Sequence, residues 1–543
     1  MRYALFGLLV APMLVSCSSK KESSDASKQL TPAQLETFLK QEPIPDRIAH
    51  AKKLLADAGY PGGKGLGKLE VLYNTDEGHK KIAAAIQQMW NKNLGVDVEL
   101  RNSEWKVYLD DLSKLRYQVG RRGWIGDYRD PFTFIELMKS DSGNNNTGWK
   151  NDEFDRLVKE SGAEADATKR YEILRRAEAI LMCDLPVLPL YFYVSQAAWT
   201  DKVKGVYQNI MDYHPLHEAY VEGSDTIVIN NGTEIQALDP ALARGVPEHR
   251  VLNAVYEGLT RNDPRTYDPL PGVAEKWDLS ADGKTYTFHL RDCAWNDGKK
   301  VTAHDFAFGW RRILNPAFPS DYAHMLHVVK GADAYNSKKT ADPMTVGVNA
   351  KDDRILVVEL EHPVPYFPEL ITHYAFHPLR EDVIKKHGDA WTRTENIVTN
   401  GPFKVKEWRP NEHVLLEKSD SYWGAAKTRT QYVKFLPIND RLTAWNLYLT
   451  GKCDWVTTLP VDKMEEIIKR PDYHGATYLG VYYWSFNCTK GPLQDRRVRK
   501  ALALALDRDI IVKRIALQGQ IPAFGFVPPM FDAYKSPRFD VKD

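Results

Sequence analysis

The sequence predicts an α/β protein built on an open, largely parallel sheet. Between Asp46 and Gly120 apolar residues recur alternately with helical and strand periods. Each strand is separated from the next by a helical stretch long enough for a parallel crossover. The chain has 543 residues, 43% of them apolar and 27% charged, which points to two or three domains of ordinary globular composition. The net charge of +1 gives no basic excess for nucleic acid and no acidic tail.

In chain order, Ile48, Ala51, Leu54, Leu55 and Ala58 share a helical face that Gly59 stops. Leu69, Val71 and Tyr73 alternate as a strand; Ile82, Ile86, Met89 and Trp90 mark a helix closed near Gly95; Val96, Val98 and Leu100 alternate again. That βαβ unit must cross over right-handed. A further helix from about Glu104 leads to a strand near Tyr117 to Gly120, and a later helix from Lys169 to Leu181 precedes a buried strand, Leu185 to Val194. In such sheets ligands sit beyond the carboxyl ends of the strands. Two loops are expected there, Asn74 to Lys80 and Arg121 to Pro131, bringing His79, Arg121, Trp124 and Asp127 to one rim. A core role for Trp124 and a capping role for Asp127 are the alternatives. The 14 Trp and 27 Tyr fit a large core or an aromatic-lined cleft.

The first residues read as a targeting segment. Arg2 precedes an apolar run, Ala4 to Val15, too short to span a bilayer. It ends in "LVSC", Leu14 to Cys17, a bacterial lipobox pattern that predicts a diacylglyceryl thioether on Cys17 and a lipid anchor in the membrane. Residues 18–45 form a polar tether and entry segment, so the rest is expected outside the cytoplasm. Cys183, Cys293, Cys453 and Cys488 are scattered without metal-ligand spacing, and no bridge among them is predicted.

Catalytic signatures are scarce. No Gly-x-Ser-x-Gly elbow and no His-Glu-x-x-His helix occurs. "GGKGLG", Gly62 to Gly67, follows a helix and precedes a strand, the reverse of a phosphate loop, and reads as a turn. "HYAFH", His373 to His377, offers two imidazoles at helical spacing with no evident third ligand. The expectation is a binding protein rather than an enzyme, with no metal and no cofactor.

Several stretches carry a family resemblance. "ALDPALARGVPEHRVLNAVYEGLTRNDP", "NDGKKVTAHDFAFGWRRILNP", "NIVTNGPFKVKEW" and "RVRKALALALDRDIIVKRIALQGQIPAFGFVPP", with "AKKLLADAGY", "LYNTDEGHKKIA" and "GWIGDYRDP" from the first block, resemble oligopeptide-binding proteins of peptide ABC importers, bacterial extracellular solute-binding proteins of family 5. The order differs from the family. The counterpart of Asp225 to Asp543 comes first there and that of Leu30 to Glu222 follows, so the chain resembles a circular permutation joined near Glu222 to Ser224. The resemblance implies a two-lobed periplasmic-binding-protein clam, type II-like, with an appended domain. The division expected is 1–17 signal peptide and lipobox, 18–45 tether, 46–194 plus 480–543 peptide-binding lobe, 195–260 plus 392–479 second lobe, and 261–391 appended domain. Asp543 and Thr31 are expected close together on one lobe.

The resemblance also assigns roles. Asp127 aligns with the acceptor of the peptide α-ammonium. Trp124, Trp105 and Tyr193 fall in pocket walls, and Tyr482 and Tyr483 on a strand entering the second lobe. Arg121 and His79 align with cations for peptide carboxylates, Arg244, Gly245 and Val246 with a backbone-pairing segment, and Leu112 and Ala516 stand where the family has further cations. Implied partners are oligopeptides, ABC permease subunits and the membrane through Cys17, with the protein a monomer. The alternatives are dipeptide, nickel or haem ligands, or a peptide sensor or chaperone without transport.

Overall fold

The computed structural model describes residues 32–164 and 166–542. The lipobox, Cys17, Thr31 and Asp543 lie outside the described residues. Local sequence chemistry sets the first elements. Asp46 caps helix α1 (Arg47–Asp57) by accepting the Ala49 N–H at 2.9 Å. Strand β1 (Leu69–Asn74) follows, then helix α2 (Glu77–Leu94), capped by Asp76 and ended by Gly95 in the left-handed region. Strand β2 (Val98–Ser103), helix α3 (Trp105–Ser113) and strand β3 (Val119–Ile125) complete the unit. The "GGKGLG" stretch is a turn whose backbone packs against the α2 terminus: a Cβ on Gly63, at φ +77°, would lie 2.4 Å from the Gly95 carbonyl oxygen.

The strands lie in the order β2-β1-β3, with β1 parallel to both neighbours. Strand β1 is not half-exposed, as alternation alone would have it: Val71, Leu72 and Tyr73 are all buried. Leu72 packs with Tyr108 and Leu112 of α3, whereas Val71 and Tyr73 belong to the core that includes Trp90 of α2. The two helices therefore cover opposite faces, and the strand order switches direction between β1 and β3, where such folds open a crevice.

Helix α4 (Ala167–Asp184) leads to the long strand β4 (Val187–Trp199). Strand β5 (Thr226–Asn230) and helix α5 (Val246–Val255) precede a separate antiparallel sheet. That sheet has strands β6 (Ala274–Leu279), β7 (Thr285–Leu290), β8 (Val348–Ala350) and β9 (Ile355–Glu359) in the order β6-β7-β9-β8. The chain returns through β10 (Phe403–Arg409), β11 (His413–Lys418), β12 (Tyr432–Leu436), helix α6 (Arg441–Leu449), β13 (Trp455–Val456) and β14 (Tyr473–Phe486). Helix α7 (Arg496–Leu504) and the short β15 (Ile521–Pro522) follow. The main sheet runs β10-β11-β12-β5-β13-β4-β14-β3-β1-β2, with β15 beside β4.

Two long antiparallel strands, β4 and β14, thus connect the parallel group β2-β1-β3 to a mixed group in which β5 is parallel to β12 and β13 while β10, β11 and β12 are antiparallel. Their register breaks between Thr477 and Val481, so that Tyr478, Leu479 and Gly480 bulge opposite Tyr193. The strand expected near Tyr117 to Gly120 extends to Ile125, because Val119–Ile125 pairs with Gly480–Phe486, a partner more than 350 residues away that no local pattern reveals. The helix expected at 169–181 spans Ala167–Asp184 and the strand expected at 185–194 spans Val187–Trp199. Leu185 adopts φ 47° as the helix cap, which delays the strand start.

The C-terminal segment folds back on α4. Buried Glu178 accepts the backbone N–H groups of Phe526 and Val527 at 2.8 and 2.9 Å and the hydroxyls of Tyr534 and Ser536. Pro43 pairs antiparallel with Val541, and the Ile44 N–H donates to the Asp540 carbonyl at 3.2 Å. Residues 222–225 are an exposed turn. Cys293, Cys453 and Cys488 stand as thiols. Among the described residues no helix is long and apolar enough to cross a membrane.

Candidate binding cleft

The site grows from the carboxyl end of β1 and the long β3. Arg121 and Trp124 were expected in a loop; both stand on β3, and only Gly126 onward is loop. Arg121 is enclosed by aromatic rings. It donates from Nη2 to the Tyr193 hydroxyl at 2.9 Å and from Nη1 to Asn74 Oδ1 at 3.4 Å, and its guanidinium lies 4.7 Å from the Tyr482 ring centroid. Tyr482 is fully buried and stacks on Tyr191 at 4.6 Å. Tyr193 reaches across this group because Gly123 and Gly480 leave room: a Cβ at either would lie within 3.0 Å of its ring or hydroxyl.

His79, in the first turn of α2, joins the cluster. Its ring centroid is 5.5 Å from that of Tyr482 and its Nδ1 is 3.4 Å from the Tyr482 hydroxyl. Burial pushes the His79 pKa down to about 3, and the Arg121 charge pushes in the same direction. The imidazole is therefore neutral at pH 7, a hydrogen-bonding group rather than the cation the sequence led us to expect. Behind it the α2 cap, Asp76, accepts from Arg441 at the start of α6.

Trp105 begins α3 and stacks on Tyr108 at 5.5 Å. Opposite stands the start of α5: a Cβ on Gly245, at φ +100°, would lie 3.9 Å from the Trp105 ring. Gly245 thus lies against Trp105, with Arg244 and Val246 on either side of it in the chain. Arg244 pairs with Asp321. Tyr483 is not part of this group. It follows Tyr482 in the strand and points to the other face, where it packs edge-on against Phe526 at 5.1 Å. Leu112 and Ala516 are both buried, Leu112 in the α3 cluster.

Asp127 follows β3 and is walled in by the middle of the chain. Its backbone N–H donates to Thr133 Oγ1 at 3.1 Å, and its carboxylate lies 3.5 Å from His373 Nε2. Among the described residues no Arg or Lys pairs with it. Burial raises its pKa well above the usual carboxylate range, and the Glu136 charge adds to this. Burial likewise holds His373 neutral. On β3, the indole N–H of Trp124 and Nε of Arg121 are buried without an acceptor among the described residues. Buried donors and carboxylates are rarely left so in finished interiors.

Sequence reading missed two contributors. His373 was noted only as half of a pair with His377. The turn Tyr374–Phe376 separates them, and His373 faces Asp127 while His377 lies 6.3 Å from Tyr256. Arg441 carried no local signal, since its partner lies 365 residues away.

Comparison with known proteins places this geometry. The model for bacterial extracellular solute-binding proteins, family 5 Middle, matches residues 20–146 and 268–542. The periplasmic oligopeptide-binding protein OppA of Salmonella typhimurium is 43% identical over 317 residues, covering 57% of this chain and 58% of that protein. The chain thus spans somewhat over half the length of this curated relative in one alignment. Haemophilus influenzae OppA, solved in complex with RPPGFSPFR, superposes with a TM-score of 0.53 at 35% identity, covering 58% of this chain and 63% of that one. The Escherichia coli murein tripeptide binding protein MppA gives 0.54 at 33% identity, over 56% and 60%. The α/β architecture is that of the periplasmic binding proteins.

Proposed function

Because the chain belongs to the bacterial extracellular solute-binding proteins of family 5, a family of binding proteins and not of enzymes, we propose that it captures oligopeptides in its cleft and delivers them to the permease subunits of an ABC importer. The observation that carries this reading is Asp127, a buried carboxylate with no Arg or Lys beside it among the described residues. A peptide α-ammonium supplies the missing charge, because an uncompensated buried charge costs several kcal/mol. Trp105, Trp124, Tyr193 and Tyr482 offer contact area to varied side chains without demanding one partner. Backbone pairing along Arg244 to Val246 gives affinity independent of sequence. The carboxylate end of the peptide meets Arg121 or His79 according to length.

The kink of β4 and β14 supports the lobe division at 194/195 and 479/480, with 261–391 as the appended domain carrying the separate sheet. The permuted order is supported by three observations: the pairing of Pro43 with Val541, the exposed turn at 222–225, and an alignment that stops at 58% of the relative. The lipobox at Cys17 supports a lipid-anchored place in the cell envelope. The test is calorimetric titration of the purified chain with peptides of two to six residues, with free and with acetylated amino ends. Binding of free peptides only is the expected result. Equal binding of both forms would mean that Asp127 does not hold the amine.

A further inference from the structure

Away from the cleft, three side chains from separate segments converge. Asp141 stands in the loop after the turn Glu136–Met138, His327 in the turn Ala323–Val328, and Asp333 in the short helix Ala332–Asn336. One ligand-type atom from each lies within 4.8 Å of the others. His327 Nδ1 is 3.8 Å from Asp333 Oδ1.

The orientation of the imidazole is fixed from behind. His327 Nε2 lies 3.0 Å from Asn336 Oδ1, and Asn336 donates its amide N–H to the Leu314 carbonyl at 3.0 Å. The amide therefore presents its oxygen to the ring, so Nε2 carries the proton and the neutral ring has its lone pair on Nδ1. That lone pair is turned towards Asp333 Oδ1, and a carboxylate oxygen of Asp141 stands in the same cluster. Three electron-pair donors facing one another repel unless a cation lies among them. Lys139 sits 3.1 Å from Asp141 Oδ1 and Lys339 sits 3.0 Å from Asp333 Oδ2. These ammonium groups offset part of the carboxylate charge.

We propose that Asp141, His327 and Asp333 form a binding site for one divalent transition-metal ion of the zinc type. An imidazole with two carboxylates suits zinc and its neighbours, whereas calcium and magnesium sites are built from oxygen. A ring whose second nitrogen donates to an amide or carbonyl oxygen is the usual arrangement of a metal-binding histidine. Zinc bonds of roughly 2.0–2.2 Å put tetrahedral ligand atoms about 3.4 Å apart, so the His327–Asp333 pair at 3.8 Å must close by about 0.4 Å and a pair at the 4.8 Å limit by about 1.4 Å, the larger movement falling to the exposed Asp141. Water completes the coordination.

The ion would tie the loop 139–146 to the segment 321–336, which already meet where a Cβ on Gly143 would lie 3.2 Å from Asp321. On the lobe division proposed above these belong to different domains, so the bound ion would favour the closed cleft. That consequence rests on the proposed division; the site itself does not.

The experiment is calorimetric titration of the chelator-treated full chain with zinc chloride, alongside His327→Gln and Asp141→Asn. Each variant is first checked for unchanged thermal unfolding in the absence of metal, and Asp141, being exposed, tolerates the exchange. One saturable zinc per chain is expected, weakened about tenfold or more in both variants, with a visible cobalt spectrum in the wild type that both variants lose. No saturable binding by the wild type at micromolar zinc, or binding that both folded variants retain unchanged, would overturn the site.

Discussion

Arg441, at the start of α6, holds Asp76, the cap of α2. Its Nε and Nη2 donate to Asp76 Oδ2 at 3.1 and 2.8 Å, while Asp76 Oδ1 accepts the His79 backbone N–H at 3.0 Å. The same carboxylate therefore caps α2 and links it to α6. Lys81 with Asp462, at 2.6 Å, and Arg129 with Asp268, at 2.8 Å, make parallel links at the surface.

Removing that link gives the first prediction. Burial opposes ionisation of Asp76, but the cations and hydrogen bonds around it overcome this and hold its pKa well below the usual range. His79 is neutral above about pH 3, so near pH 7 the work falls to Arg441 and the backbone N–H. A depressed carboxyl pKa adds stability above the unfolded value, about 4, and loses it as pH falls towards the folded value. Arg441→Met should lower stability by about 1.5–3 kcal/mol at pH 7. The deficit should shrink below about pH 4, as urea unfolding at both pH values would show. A constant deficit would mean that packing, not charge, is lost.

Asp127→Asn keeps the shape of the cleft and removes its negative charge. Losing one partner of a desolvated pair costs roughly 2–5 kcal/mol, a weakening of about 30-fold to several thousand-fold. Free tripeptides should show this loss in calorimetry. Acetylated tripeptides should bind the wild type poorly and lose little more.

Glu178→Ala leaves the Phe526 and Val527 N–H groups and the Tyr534 hydroxyl buried without their acceptor. The cost should be about 3 kcal/mol or more, with Glu178→Gln intermediate. Limited proteolysis should cut first within 521–541. Cleavage elsewhere first would show that this segment does not depend on Glu178.

A reordered chain that begins at Asp225 and runs through its last residue into residues 32–222 should fold and bind peptide within about threefold of the original. This follows from the pairing of Pro43 with Val541 and the exposed turn at 222–225. Circular dichroism and calorimetry would check it. Loss of folding would mean that the present order is the one the structure needs.

Cys17→Ser should release the protein from membranes in cell fractionation. Persistent detergent dependence would point to another anchor.

How far the structure could be read beforehand depended on distance along the chain. Helices α1, α2 and α3 were legible because their caps, Asp46, Asp76, Gly95 and Glu104, and their apolar spacing are local. The extent of β3 was not, because Arg121 to Ile125 are held in a strand by β14. Arg121, His79 and Asp127 were named from their expected position near strand ends. Their electrical states were not, since neutrality of His79 comes from burial and Arg121 together. Tyr483 shows the limit most plainly. One residue beyond Tyr482, it faces the other side of the sheet, and only the register with β3 decides which of the two meets Arg121.

The insertion of β14 between β3 and β4 has a bearing on how the protein is made. A ribosome that has finished β3 must add roughly 350 more residues, at 5–20 residues per second about 20–70 seconds, before β14 emerges. Throughout that interval the nascent first sheet has an unpaired edge along Arg121 to Ile125, and β4 lacks its neighbour. An edge left open so long invites pairing with other chains. The time for which that edge stays open grows with every residue placed between the two strands.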